Sequence, residues 1–272
     1  MIENESCPVI LPNSRAKDRG RPNPQLSVVI PAFNEEARIA PYLEEVRDYL
    51  DSSLPNQAEV IVVDDGSRDG TSALVSRFAE TWPPLRLIVQ DRNRGKGAAV
   101  RAGVLAARGR RILFADADGA TPIAEEARLS RALADGAAIA CGSRHVQGDG
   151  IVRTRNLRRE AASGIFRAVA SCLVGVGVKD TQCGFKMLEA NAAKLLFGLS
   201  TETGYLFDIE ALAIARKAGF TIAEVAVNWS EKEGSKVRLV RDSLRMFAGL
   251  WRLRRKLRGV EIPDQAETRQ AA

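Results

Sequence analysis

Histidine is almost missing from this chain: His145 is the only one in 272 residues. That removes histidine-rich metal sites and argues against a Ser-His-Asp triad. The four cysteines, Cys7, Cys141, Cys172 and Cys183, form no Cys-x-x-Cys pair, which argues against zinc ribbons and thioredoxin-type chemistry. No signal-peptide pattern opens the sequence, so a reducing cytosol is the expected compartment. No Gly-x-Gly-x-x-Gly follows the first apolar run, and no Gly-x-x-x-x-Gly-Lys-Ser/Thr occurs, so dinucleotide and P-loop readings lose their main support. A long uncharged apolar run is also lacking. The nearest is Ala161 to Val178, interrupted by Ser163, Arg167 and Ser171. An arginine at the centre of a span costs about 2.5–3.5 kcal/mol or more, so this segment reads as a buried or membrane-facing helix.

What is present is ordinary in amount and uneven in placement. Hydrophobic residues make up 45% and charged residues 27%, as in soluble globular proteins. The length suits one large α/β domain or two small ones. The net charge is +6, yet residues 236–258 hold nine basic side chains against one acid, so the rest of the chain is slightly acidic. Residues 1–24 and 260–272 are polar, lack a period and read as flexible tails.

Between the tails, strands and helices alternate. Leu26–Pro31, Val60–Val63, Leu85–Val89, Ile112–Ala115, Ala137–Cys141 and Thr221–Val227 are short apolar runs that read as strands. Ile39, Leu43, Val46 and Leu50 recur at helical spacing. Helices are also expected from about Thr71, from Gly97 and after Pro122, with a long one from Arg155 to Val176. Continuous apolar strands separated by helices predict an α/β fold, its mostly parallel sheet covered on both faces. Polar clusters fall where strands end, which is the ligand-binding edge of such sheets.

Four clusters carry the chemistry. Pro31-Ala32-Phe33-Asn34-Glu35-Glu36 follows the first strand, where Asn34 is a candidate helix cap. Asp64-Asp65-Gly66-Ser67-Arg68-Asp69-Gly70-Thr71 ends the second; a carboxylate there can accept from a uracil N–H or a ribose hydroxyl. Asn93-Arg94-Gly95-Lys96-Gly97 opens a helix, and its glycines and basic residues suit a phosphate. Asp116-Ala117-Asp118 ends the fourth strand. Residues two apart on a strand face the same way, so these carboxylates can share one hard cation, magnesium or manganese, with room for phosphate oxygens.

In this order the clusters resemble the inverting GT-A glycosyltransferases of family 2, from about Leu26 to Lys236. Within that family, Phe114 to Thr121, Asp180 to Lys186 and Ala226 to Lys236 are similar to the dolichyl-phosphate β-glucosyltransferase branch. The resemblance implies a GT-A (Rossmann-like) domain over residues 25–236 that moves glucose from UDP-glucose to a polyprenyl phosphate, dolichyl or undecaprenyl, with inversion and a divalent metal. It places Pro31, Ala32, Asn34 and Glu35 around the nucleoside, Asp64 or Asp65 on the uracil, and Lys96 near base or diphosphate. Asp116 falls near ribose and metal, and Asp118 is the metal ligand. Mannosyl relatives carry Gln two residues after the second Asp; here Ala120 stands there, which favours the glucosyl branch and leaves the metal shell short of a protein ligand. Alternatives are a mannose or N-acetylhexosamine donor, or a hydroxyl acceptor.

A hydroxyl acceptor needs a general base, whereas a phosphate monoester, with its second pKa near 6, is largely dianionic at pH 7 and can attack without losing a proton. Arginine suits such oxygens. Arg144 follows the fifth strand, and Arg159 and Ser163 lie four apart on one helix face, so these three are the acceptor-phosphate candidates. Asp208 and Glu210 open a helix, and Asp208 is expected to orient the donor sugar or cap that helix. Gln182 is a sugar-contact candidate, and Ser235-Lys236 a loop to close over the nucleotide. Residues 237–259 form a basic amphipathic helix, with Val240, Leu244, Phe247 and Trp251 at helical spacing, fit to lie on an anionic membrane. A cytoplasmic enzyme, peripheral on the cytoplasmic face of the membrane and without nucleic acid as partner, is expected.

Overall fold

The structure is a computed structural model that describes residues 9–10, 23–148, 150–154, 176–232 and 249–262. The expected helix over 155–175 lies outside the described residues, as do Arg159, Ser163, Ser235, Lys236, Val240, Leu244 and Phe247.

The elements follow the expected alternation, and the sheet falls where the apolar runs are. β1 is Val9–Ile10, β2 Leu26–Ala32, α1 Ile39–Ser53, β3 Ala58–Asp64, α2 Thr71–Thr81, β4 Leu85–Val89, α3 Lys96–Ala106 and β5 Arg111–Ala115. A short 3₁₀ turn, Ile123–Glu125, leads into α4, Glu126–Ala134, and then β6, Ile139–Ser143. β7 is Arg153–Thr154, β8 Phe185–Glu189, α5 Ala190–Leu199, α6 Phe207–Lys217, β9 Ile222–Ala226 and β10 Trp229–Ser230. Residues 249–257 are helical.

Eight strands form one sheet in the order β1-β4-β3-β2-β5-β8-β6-β9, and β7 and β10 pair separately. β2, β3, β4 and β5 pair in parallel, as do β6 and β9. β8 runs against both its neighbours, and β1 against β4. Two expectations are corrected here. The N-terminal tail contains a strand, Val9–Ile10, laid on the sheet's outer edge. Phe185–Glu189, of which only Phe185 and Lys186 stood in a motif, is a central strand; Lys186 and Glu189 leave just three apolar residues to mark it.

Side chains alternate between two cores because both faces are covered. Val29, Ile61, Val63, Ile112 and Phe114 pack beneath α3, α5 and α6. Val28, Ile30, Val60, Val62 and Leu113 pack with Ile39, Leu43 and Val46 of α1. Leu250 and Leu253 of the last helix join the first core, while Trp251 is 70% exposed.

The edge opposite the strands' C-termini is tied by Glu59. This buried carboxylate accepts from the Ser27 hydroxyl (2.6 Å), the Arg108 N–H (2.6 Å) and Arg86 Nη2 (2.9 Å). Removing one partner of a fully buried pair costs about 3–5 kcal/mol; here Ser27 stays buried while Arg86 and Arg108 can turn to solvent, so the lower end, about 3 kcal/mol, applies. Glu59→Ala should lower unfolding free energy by about that much in urea titration.

Candidate active site

β2, β3, β5 and β6 all end on one edge, and the residue strings that follow them meet there. The strings after β2 and β3 are laced together by their polar side chains. Asn34, in the left-handed region at φ 53°, donates its N–H to Ser67 Oγ (2.8 Å) and accepts the Arg68 N–H on Oδ1 (2.8 Å). Asn is one of the few residues that tolerates this backbone. Glu35 N–H donates to Thr71 Oγ1 (2.8 Å), and the Glu35 carboxylate takes a fork from Arg38, through Nε at 2.8 Å and Nη2 at 2.7 Å. Asn34 therefore fastens one loop to the next and does not cap α1, whose N-cap position is Arg38.

Asp64 and Asp65 point to opposite sides of β3's end. Asp64 accepts from the N–H and hydroxyl of Ser67 and from the Ser72 hydroxyl. Asp65 accepts the N–H groups of Arg94 (2.7 Å) and Gly95 (2.9 Å), so it holds the next loop in place. Burial pushes the Asp65 carboxyl up, against the pull of those two N–H groups.

The glycines before and within α3 have a different purpose from the one their sequence suggested. The N–H groups of Gly97 (2.7 Å) and Ala98 (3.2 Å) donate to the Thr203 carbonyl. A Cβ on Gly95 would lie 2.4 Å from that oxygen, and one on Gly97 2.5 Å from the Glu202 carbonyl. The first turn of α3 is nested against residues 202–204, and these N–H groups serve the protein's own carbonyl instead of a phosphate.

Lys96, the first residue of α3, reaches the Asp-x-Asp pair: its Nζ is 2.6 Å from Asp116 Oδ1. Burial opposes its charge, but Asp116, Asp208 and Asp118 outweigh that and hold the ammonium protonated. Asp118 accepts the Ala120 N–H (3.1 Å), and burial together with the Asp116 charge pushes its carboxyl up. Gly184 forms the floor: its carbonyl accepts the Asp116 N–H (3.0 Å), and a Cβ there would lie 2.1 Å from Asp116 Oδ2. Tyr42, on α1, is buried near Glu45, Asp116 and Asp118, and among the described residues its hydroxyl has no hydrogen-bond partner.

Two carboxylates close enough for the Asp116 charge to push the Asp118 carboxyl up, with Lys96 on Asp116 Oδ1 as the partner ammonium, fit a divalent cation. Among the described residues no third His, Cys, Asp or Glu joins them. Such an ion would take its remaining oxygens from a diphosphate and water.

Arg144 and Asp208 prove to be tightly paired. Arg144 donates through Nε (2.8 Å) and Nη2 (2.9 Å) to Asp180, and its guanidinium lies 5.5 Å from the Trp229 ring centroid. Asp208, 4% exposed, meets Lys186 Nζ at 2.7 Å, and Lys186 also lies over Phe114. Burial pushes the Asp208 carboxyl up, while Lys186 and Lys96 pull it down. Asp208 is thus a buried counter-ion in the field of Lys96 and Asp116, and it does not cap α6, whose N-cap position is Leu206. Gln182 is half-buried. The string after β9 closes the far side: Ser230 N–H donates to the Ala120 carbonyl (2.9 Å), and Asn228 Nδ2 to Glu125 Oε1 (2.6 Å). Arg38, Asp180, Gly184 and Lys186 were not assigned roles in advance. The last three stand in a recognised motif, but their contacts depend on a strand the sequence concealed.

Burial pushes the Asp180 carboxyl up, yet Arg144's hydrogen bonds and charge outweigh it and hold it at about 2, below the ordinary 3.8. A depressed folded pKa gives stability that is present above the unfolded value and lost as pH falls through the folded one. The pair should therefore contribute about 2 kcal/mol at neutral pH and lose it between pH 4 and 2. Unfolding of the unaltered protein and of Arg144→Met, followed from pH 7 to 2, checks this: the variant should lack that part of the acid slope.

A parallel sheet whose C-terminal edge gathers an Asp-x-Asp pair, a lysine and two laced acidic loops is the architecture of a GT-A glycosyltransferase. The model of glycosyl transferase family 2 matches residues 27–197, and the chain belongs to that family. It is 40% identical to the dolichyl-phosphate beta-glucosyltransferase of Mus musculus, over 86% of this chain and 79% of that one. The protein of the same name from Saccharomyces cerevisiae is 34% identical over 83% of this chain and 72% of that one. Among solved structures, the glucosyl-3-phosphoglycerate synthase of Mycobacterium tuberculosis, in complex with Mn2+, UDP and glucosyl-3-phosphoglycerate, shares the fold. The TM-score is 0.63 at 21% identity, covering 89% of this chain and 81% of that one. A mannosyltransferase from Pyrobaculum calidifontis, in complex with GDP-Man and Mn2+, aligns at TM-score 0.59 and 20% identity, over 89% and 66%. The chain is a glycosyltransferase.

Proposed function

We propose that this enzyme transfers glucose from UDP-glucose to a polyprenyl phosphate, inverting the anomeric centre to the β product. The likeness to dolichyl-phosphate beta-glucosyltransferases over most of both chains supports the donor sugar and the acceptor class. The observation that carries the site is the Asp116–Asp118 pair facing Lys96 at a strand end. There a magnesium or manganese ion, when bound, would neutralise charge on the departing diphosphate. Asp116 and Asp118 would hold the ion, and Lys96 would add a second positive charge at the same place. Pro31, Ala32, Asn34 and Glu35, with Asp64 or Asp65, would line the nucleoside.

Burial of Asp208 and its pairing with Lys186 support a phosphate acceptor. A carboxylate buried to 4% exposure, with an oxygen already held by Lys186, is poorly placed to reach an acceptor hydroxyl, and a phosphate dianion needs no base. Arg144, fixed by Asp180, would steer the acceptor phosphate, together with Arg159 and Ser163. The last helix turns Trp251, Arg252, Arg254 and Arg255 outward, which suits the interface of an anionic membrane, where the lipid acceptor resides. This reading places the enzyme on the cytoplasmic face.

The test is transfer itself. The protein is incubated with dolichyl or undecaprenyl phosphate, Mn2+ or Mg2+, and UDP-glucose, GDP-mannose or UDP-N-acetylglucosamine in turn. UDP release with formation of a β-glucosyl lipid is expected from UDP-glucose alone. Transfer from GDP-mannose in its place would overturn the donor assignment.

A further inference from the structure

The first turn of α6 carries two acids that face different neighbours. Asp208 turns to Lys186, within the field of Lys96. Glu210, with no exposed surface, turns the other way. Its Oε2 accepts the N–H groups of Thr201 (2.9 Å) and Glu202 (2.8 Å), and its Oε1 pairs with Lys256 of the last helix, whose ammonium also reaches Thr201 Oγ1. Glu210 therefore clamps the backbone of residues 201–202 to the C-terminal helix. The very next residue, Thr203, supplies the carbonyl that takes the Gly97 and Ala98 N–H groups. That carbonyl sets the first turn of α3, and α3 begins with Lys96, whose ammonium sits on Asp116.

We propose that Glu210 and Lys256 are positioning residues for the nucleotide diphosphate. On this proposal, which rests on the donor reading above, they act through the 201–203 backbone to hold Lys96 against Asp116. Lys96 stands at the very start of its helix, so a shift of the capping carbonyl is passed to its side chain without damping by intervening turns. Charge-assisted hydrogen bonds are strong enough to fix such a loop, and Lys256 is partly exposed, so its removal spares the core. The last helix is thus wired to the donor site, although its outward face, with Trp251, turns elsewhere.

UDP binding in saturating Mn2+ is measured by calorimetry on the full chain, beside thermal melting, for Lys256→Met, Lys256→Arg and Glu210→Gln. Lys256→Met and Glu210→Gln should weaken UDP binding about tenfold and raise KM for the nucleotide sugar by the same factor, with KM for the lipid acceptor unchanged. Lys256→Arg, which keeps the charge, should stay within about twofold. Unchanged UDP affinity in Lys256→Met, whether or not its melting temperature falls, would overturn the proposal. An unaltered protein that binds no UDP in Mn2+ would remove the donor reading itself, and this proposal with it.

Discussion

Asp118→Asn should reduce transfer by about 10³-fold or more while leaving the fold as stable as before, or slightly more so. The two halves of this expectation have one origin. Asp118 is pushed towards protonation by burial and by Asp116, so its charge is a burden to the folded protein. Its one hydrogen bond among the described residues, from the Ala120 N–H, is to a side-chain oxygen that asparagine keeps. The charge is there for a ligand. A metal that neutralises a leaving diphosphate supplies several kcal/mol, and about 4 kcal/mol corresponds to a thousandfold in rate. UDP release at saturating donor and Mn2+, beside thermal melting, checks both. Activity within tenfold of the unaltered enzyme would remove Asp118 from the metal site.

Gly184→Ala should be nearly as damaging, although it adds only a methyl group. The new carbon would lie 2.1 Å from one Asp116 oxygen and 2.4 Å from the other, which no Cβ contact allows. Two responses are open. The Asp116 carboxylate can swing away and abandon Lys96, or the strand entrance can move. The second is resisted by the Asp116 N–H bond to the Gly184 carbonyl and by the pairing of Phe185 with Ala115. The carboxylate therefore gives way, and misplacement by about 1 Å can cost 10²-fold. kcat/KM should fall about a hundredfold, with weaker binding of UDP in Mn2+. Gly198→Ala, where a Cβ meets nothing within 4 Å, is the matched control and should retain activity.

The sequence made the sheet's parallel half plain because each strand there is an unbroken apolar run ending in a polar string. It concealed β8 because a strand buried on both faces normally lacks charge, and Lys186 carries one. The distant Asp208, with the Cys183 carbonyl and the Phe114 ring, makes that lysine tolerable. The donor cluster is visible because Asp116 and Asp118 lie two apart in the turn just after β5, whereas Arg144–Asp180 joins residues 36 apart and Asp208–Lys186 joins residues 22 apart. The glycines around Lys96 suit a phosphate in the sequence and meet a carbonyl in the fold, because a glycine reports only that something comes close. It does not say whether the visitor is a phosphate or the carbonyl of Thr203.

The antiparallel course of β8 has a mechanical consequence. The chain enters the sheet from the active-site edge at Gly184, passing directly beneath Asp116 before it is gripped by ladders to β5 on one side and β6 on the other. That stretch cannot rise or retreat unless two rows of backbone bonds are undone. It acts as a fixed anvil under the reacting groups, and any opening that admits a donor or releases a product has to be performed by the segments above it.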